Sequence, residues 1–105
     1  MENLEQLQLV VAEVQAARQQ VSSVRAQVQE LQGTIEAVNN QPDGLSLHRQ
    51  MGGVLIEVAD REGLLKELNE TLESLNVHLA RFTEREQQLI QTYDELKQSL
   101  QGAQE

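Results

Sequence analysis

The chain has 105 residues, a net charge of −9, one phenylalanine and one tyrosine. This acidity argues against binding to nucleic acid or to an anionic membrane surface, since both need clustered Lys and Arg. The lack of cysteine excludes disulfides and thiolate chemistry. No apolar run approaches the ~18 residues of a membrane span, and the first residues do not resemble a signal peptide. We therefore expect a cytoplasmic protein.

A long helix is predicted over residues 3–40. Apolar residues alternate at steps of three and four, which is the spacing of a coiled-coil seam. Pro42 and the Asp43-Gly44 turn pair predict the helix end near Asn40. The members of this first stripe are Leu7, Val10, Val14, Ala17, Val21, Val24, Val28, Leu31, Ile35 and Val38.

A β-hairpin is predicted over residues 45–58. Gly52-Gly53, with alternating residues on both sides, fits a two-residue primed turn. Centring the turn there pairs Met51 with Val54 and, at the other end, Leu47 with Val58. One face of the ribbon then carries Leu47, Arg49, Met51, Val54, Ile56 and Val58, and the other carries His48, Gln50, Leu55 and Glu57.

A second long helix is predicted over residues 61–100. Asp60 is placed to cap its N-terminus, and residues 101–105 are expected to fray. The second stripe keeps the same spacing and contains one charged member. It consists of Leu65, Leu68, Leu72, Leu75, Leu79, Phe82, Glu86, Leu89, Tyr93, Leu96 and Leu100.

Two stripes of matched length predict a mainly α fold, in which a long antiparallel two-helix coiled coil carries an inserted β-hairpin. Residues 1–105 would form a single domain. If Val38 lies opposite Leu65, then Ala17 lies opposite Glu86, and Arg18 is close enough to pair with that carboxylate. The alternative is that Glu86 extends along the seam to solvent.

The hairpin is predicted to be an assembly element, because an isolated two-stranded ribbon is marginal in water and leaves unpaired edges. A closed ring of such ribbons would satisfy both the edges and the apolar face. The alternative is that this face folds back onto the helix ends of its own chain. The predicted assembly residues are Leu47, Met51, Gly52, Gly53, Val54, Leu55, Ile56 and Val58.

The N-terminal end of the first helix is unusually apolar, and the end of the second helix lies opposite it. Several of these side chains have no partner in the seam, so they are candidates for weak contacts with other proteins. The alternative is a fraying end with scattered exposed leucines. The candidate client-binding residues are Leu4, Leu7, Leu9, Val10, Val11, Leu96 and Leu100.

No catalytic, cofactor or metal site is predicted, and we do not expect an enzyme. The two histidines, His48 and His78, lie in different elements. His48 opposite Glu57 is more simply a cross-strand pair. No phosphate-binding loop or nucleophile–base grouping is present in the sequence.

The run His48–Glu57, HRQMGGVLIE, closely resembles the signature of β-type prefoldin subunits, most of all the eukaryotic subunit 2 group. His48 stands where an aromatic residue is usual. The helix–hairpin–helix layout also fits this family. The resemblance implies a hexamer of two α-type and four β-type subunits whose hairpins form β-barrels. It also implies that the helix tips capture unfolded client proteins and that a group II chaperonin receives them.

The predicted function is therefore that of one subunit in an ATP-independent holdase. The main alternative is a structural coiled-coil scaffold or tether that oligomerises through its hairpin. A membrane-binding pair of amphipathic helices is disfavoured by the acidity and by the narrow apolar stripes.

The predicted helix register can be tested by cysteine crosslinking. We expect Ala17→Cys with Glu86→Cys to crosslink as readily as Leu31→Cys with Leu72→Cys, because both pairs would share a layer of the seam. Non-reducing electrophoresis of the two double variants measures this. A crosslink at 31 and 72 without one at 17 and 86 would contradict the register.

Overall fold

The structure is a computed structural model that describes the backbone of residues 2–104 and the side chains of residues 2–102. Two long helices flank a two-stranded antiparallel hairpin, so the predicted fold class is confirmed. In chain order, the elements are α1 (Glu2–Asn40), β1 (Leu47–Met51), β2 (Val54–Val58) and α2 (Arg61–Gln104).

The first apolar stripe accounts for the burial of α1 completely. Every residue of α1 that is not exposed belongs to the predicted stripe. Its five most buried side chains are only 3–9% exposed, namely Val14, Ala17, Val21, Val28 and Val38. These side chains are small and compact, which suits a tight seam between two helices.

The second stripe is half-buried along its whole length, and Glu86 is half-buried with it. The chain forms two compact units: residues up to Arg25 with those from Val77 onward, and Ala26–Asn76. Within the first unit, the beginning of α1 lies with the end of α2. Within the second, the end of α1 lies with the beginning of α2. The helices are therefore antiparallel, as predicted.

The helix α1 ends at Asn40, and a turn follows immediately. The Leu45 N–H donates to the Pro42 carbonyl at 3.3 Å. Gly44 has a φ of 91°, which is the requirement at the third position of a type II turn. This turn redirects the chain from α1 toward β1.

The hairpin has the predicted register at all five pairs, from Met51 with Val54 to Leu47 with Val58. The two loop residues are Gly52 and Gly53. Gly52 has a φ of 61°, and Gly53 does not share this positive value. A positive φ at only the first loop position is the pattern of a type II′ turn, whose twist matches that of the strands.

The helix α2 begins at Arg61 with the predicted cap, because the Gly63 N–H donates to Asp60 Oδ1 at 3.0 Å. A Cβ atom at position 63 would collide with the Asp60 carboxylate, so this glycine leaves room for the cap. The predicted end near Leu100 is too early, since α2 continues to Gln104. Gly102 lowers helix propensity by about 1 kcal/mol relative to alanine, but it does not break a helix as proline does.

Replacing the first loop glycine should weaken the hairpin far more than replacing the second. Gly52→Ala places a Cβ at positive φ and should cost roughly 1–3 kcal/mol. Gly53→Ala is the matched control, because neither position has another atom within 4 Å of an added Cβ beyond the chain neighbours, and only Gly52 has a positive φ. Hydrogen exchange of the β2 amides measures the difference, and equal exchange in both variants would contradict the assigned turn.

Candidate assembly and client-binding surfaces

The half of the hairpin nearest the turn is open to solvent. Four of the predicted assembly side chains there are 46–67% exposed, namely Met51, Val54, Leu55 and Ile56. Within residues 2–104 the sheet contains only β1 and β2, so each strand has one edge without a neighbouring strand. Apolar side chains and free backbone groups thus occur together on one small element.

The base of the hairpin is partly covered by its own chain. Leu47 and Val58 are half-buried, and both line a shallow groove with Pro42 and Arg61. The alternative that the apolar face folds back on its own subunit therefore describes the base of the ribbon. It does not describe the part near the turn, which remains exposed.

An ion pair joins the hairpin to α2. The Arg49 Nη1 lies 3.3 Å from Glu67 Oε2. Both side chains are largely exposed, so the pair adds little stability. Its value is geometric, since it links the middle of β1 to the second turn of α2. Two further charged residues, Glu57 and Asp60, line a shallow cleft together with this ion pair.

The first residue of α2 binds the last residues of α1, and sequence reasoning missed this contact. The Arg61 guanidinium donates to the carbonyls of Val38, Asn39 and Gln41, with Nε 3.0 Å from the Val38 oxygen. It also lies 3.3 Å from Asp43 Oδ1. Because most of these acceptors are backbone carbonyls, no side-chain pattern in the sequence could have indicated them.

The apolar end of α1 is exposed where the sequence predicts it. Leu4, Leu9 and Val11 are 53%, 64% and 36% exposed. The four other candidate client-binding residues are half-buried, and they are Leu7, Val10, Leu96 and Leu100. All seven belong to the same compact unit. The stripe residues are thus partly buried between the helices, whereas the three off-stripe side chains remain exposed to solvent.

A groove with apolar walls adjoins this exposed end. It is lined by Val11, Val14, Ile90 and Tyr93, with Arg18 and Asp94 among its polar members. Ile90 is not among the predicted residues, because it lies outside the stripe. Its side chain is half-buried all the same, and the consecutive apolar pair Leu89-Ile90 is the signal that the sequence offers.

Of the two alternatives for Glu86, the ion pair with Arg18 is not formed. Among the side chains of residues 2–102 these two form no ion pair within 4 Å, and Arg18 lies instead in the groove with Tyr93 and Asp94. The arginine that lines a groove together with Ala17 is Arg85. The pairing of Ala17 with Glu86 across the seam stays a prediction.

The two histidines lie in separate surroundings. His48 is paired with Glu57 across the hairpin. His78 stacks on Phe82, with 6.4 Å between ring centroids. Over the described residues, no three His, Cys, Asp or Glu side chains are grouped as a metal site. Neither helix contains, in its described part, a stretch long and apolar enough to cross a bilayer.

A helical hairpin with an exposed β-ribbon is the fold of a known family of assembly-forming chaperone subunits. The family model described as "Prefoldin subunit" matches residues 1–105. This chain therefore belongs to the prefoldin subunit family, whose members are components of a chaperone cofactor.

The relatives found are archaeal prefoldin β subunits. The protein of Pyrococcus abyssi is 30% identical over 99 residues, which are 94% of this chain and 78% of that protein. The protein of Archaeoglobus fulgidus is 28% identical over 104 residues, covering 92% and 89% of the two chains. The β-type resemblance is thereby confirmed, while the finer resemblance to eukaryotic subunit 2 stays a prediction.

A solved structure gives the same result for the fold. The crystal structure of the prefoldin β subunit from Thermococcus strain KS-1 superimposes with a TM-score of 0.88 at 24% identity. The match covers 97% of this chain and 89% of that chain.

Proposed function

We propose that this chain is a β-type subunit of a hexameric, ATP-independent holdase that acts in the cytoplasm. In this proposal the complex contains two α-type and four β-type subunits. It captures unfolded proteins at the helix tips and delivers them to a group II chaperonin. The observation that carries the proposal is that the stripe residues are buried or half-buried, whereas two other sets of apolar side chains remain exposed.

The first of these surfaces is the assembly surface, which comprises the predicted residues from Leu47 to Val58. Its part near the turn is available to neighbouring subunits, since four large apolar side chains there are exposed. Neighbouring hairpins would complete the strand edges and cover these side chains together. Leu47 and Val58, which their own chain half-covers, would support the ribbon from its base.

The second surface is the client surface at the start of α1 and the end of α2. Leu4, Leu9 and Val11 offer apolar contacts without a deep pocket, and the groove around Ile90 and Tyr93 extends this surface along the helices. Such contacts are weak and tolerant of sequence. Six subunits acting together would make them effective, because linked sites raise the local concentration of the second binding event.

This mechanism involves no covalent step. An unfolded segment is held while its apolar side chains cover the exposed ends of the helices, and release follows from the weakness of each single contact. The chain contributes shape and apolar area, and transfer to a chaperonin needs no nucleotide bound by this subunit.

The alternative function is a structural scaffold or tether that oligomerises through the hairpin. Both proposals require assembly, so assembly alone does not distinguish them. The exposed apolar side chains of the client surface favour the holdase, because a tether has no need of Leu4 and Leu9 in solvent. Suppression of client aggregation by the assembled complex, at less than one complex per client, separates the two.

Polar replacements on the exposed hairpin face should weaken assembly. Val54→Thr with Ile56→Thr keeps the side chains β-branched, but it buries two hydroxyl groups in the interface at roughly 1–3 kcal/mol each. Native mass spectrometry with the partner subunits measures the loss of complex. The control is Gln50→Thr, an exposed strand position that is already polar. Unchanged assembly of the double variant would contradict the proposed surface.

Polar replacements on the client surface should abolish protection and leave assembly intact. The variant Leu4→Gln, Leu9→Gln, Val11→Gln removes the exposed apolar area but keeps good helix formers. We expect the complex to form normally and to lose most of its suppression of light scattering by an aggregating client.

Val77→Gln is the matched control for this experiment. Val77 is 48% exposed and lies on α2 outside the client surface, so its replacement should leave protection unchanged. Wild-type protection by the triple variant would refute the client surface. Equal loss in both would show that any exposed apolar residue of the helices contributes.

A further inference from the structure

Among the side chains of residues 2–102, Arg61 makes the most hydrogen bonds. It lies at the stem of the hairpin, which we define as the two connections, residues 41–46 and 59–60, together with Arg61. This arginine is the first residue of α2, and its side chain is 28% exposed. It donates to the carbonyls of Val38, Asn39 and Gln41, at 3.0 Å from Nε to the first and 2.9 Å from Nη2 to the second. The partners lie 20–23 residues earlier in the chain.

The position of this arginine is unfavourable for its own helix. A cation at a helix N-terminus opposes the macrodipole, and the C-terminus of a helix is where a cation stabilises. The helix α1 has no basic residue in its last turn, and its final carbonyls lack partners within the helix. Arg61 supplies both the charge and the donors that this end needs. It therefore acts as the C-terminal cap of α1, contributed from α2.

The two connections of the hairpin differ in length, and Arg61 touches the longer one. The β2 strand joins α2 through only Ala59 and Asp60, and the Asp60 cap fixes that side. The β1 strand is reached from α1 through residues 41–46. Arg61 binds this segment on both sides of Pro42, at the Gln41 carbonyl and at the Asp43 carboxylate.

We propose that Arg61 is a positioning residue for subunit assembly. By tying the longer connection to the start of α2, it closes the stem and holds the exposed hairpin face in one orientation before a neighbour binds. Preorganisation of this kind lowers the ordering entropy lost on association. The inference rests on the proposed role of the hairpin in assembly, and it assigns the orientation of that hairpin to one side chain.

Only arginine fits this role. The guanidinium presents five donors in a fixed planar fork, so it reaches several carbonyls at once. A lysine ammonium is a compact charge on a flexible stem and would satisfy fewer of them. The Asp43 carboxylate is fully solvent-exposed, so the carbonyl contacts carry the effect and the ion pair contributes little.

The test compares Arg61→Ala and Arg61→Lys with wild type in the full-length chain, titrated with its partner subunits by native mass spectrometry. Arg81→Ala is the control, since Arg81 is an exposed arginine of α2 that belongs to the other compact unit. We expect Arg61→Ala to weaken assembly roughly 10- to 100-fold, the effect of losing hydrogen bonds to a charged group. Arg61→Lys should fall between this variant and wild type.

A readout specific to positioning accompanies the titration. Hydrogen exchange should accelerate in residues 41–58 of the unassembled Arg61→Lys chain, while circular dichroism shows the helix content of wild type. The proposal would be overturned if Arg61→Lys had the hydrogen-exchange rates and the assembly of Arg81→Ala. It would also be overturned if the loss of assembly were accompanied by a loss of helix content. If wild type itself fails to assemble through the hairpin, the proposed function fails. If wild type assembles and the Arg61 variants assemble equally well, this inference alone fails.

Discussion

Burial along a narrow seam is the constraint on which this structure depends. In α1 the residues removed from solvent are those of one stripe with alternating steps of three and four, so the helix has no second face with which to bind its own chain. The most buried side chains are valine and alanine, which let the helices approach closely but bury little area each. Each layer of the seam therefore contributes only a small part of the stability, and many layers are needed.

Because the seam is narrow, it leaves no apolar surface with which to cover the hairpin or the off-stripe leucines. The base of the ribbon is half-covered by the chain around it, but the region near the turn is not. The two exposed surfaces are thus a direct result of the helix pattern. They also belong to different compact units, so the two proposed roles fall on separate sets of residues.

Much of the fold could be predicted from the sequence because its determinants are local or periodic. The stripe, the hairpin register and the Asp60 cap each follow from residue types at fixed spacing, and all three are confirmed. The predicted end of α2 is too early because glycine weakens a helix without ending it.

The parts of the candidate site that sequence reasoning missed depend on contacts between distant residues. Arg61 binds backbone carbonyls. Because every residue has a carbonyl, the sequence does not indicate which ones Arg61 binds. The division of the hairpin into a covered base and an open turn end depends on the path of the connections around Pro42. The groove at Ile90 arises where an off-stripe side chain meets the other helix, and periodicity alone does not reveal it.

The free edges of the two-stranded sheet have a consequence for how the chain must be produced. Each strand offers unpaired backbone groups beside exposed apolar side chains, which is the surface that promotes unintended strand pairing. A subunit made in excess of its neighbours keeps these edges uncovered for as long as it remains alone. In a complex of the proposed composition, balanced synthesis of the different subunits, or rapid removal of the surplus, would limit the time for which these edges stay exposed.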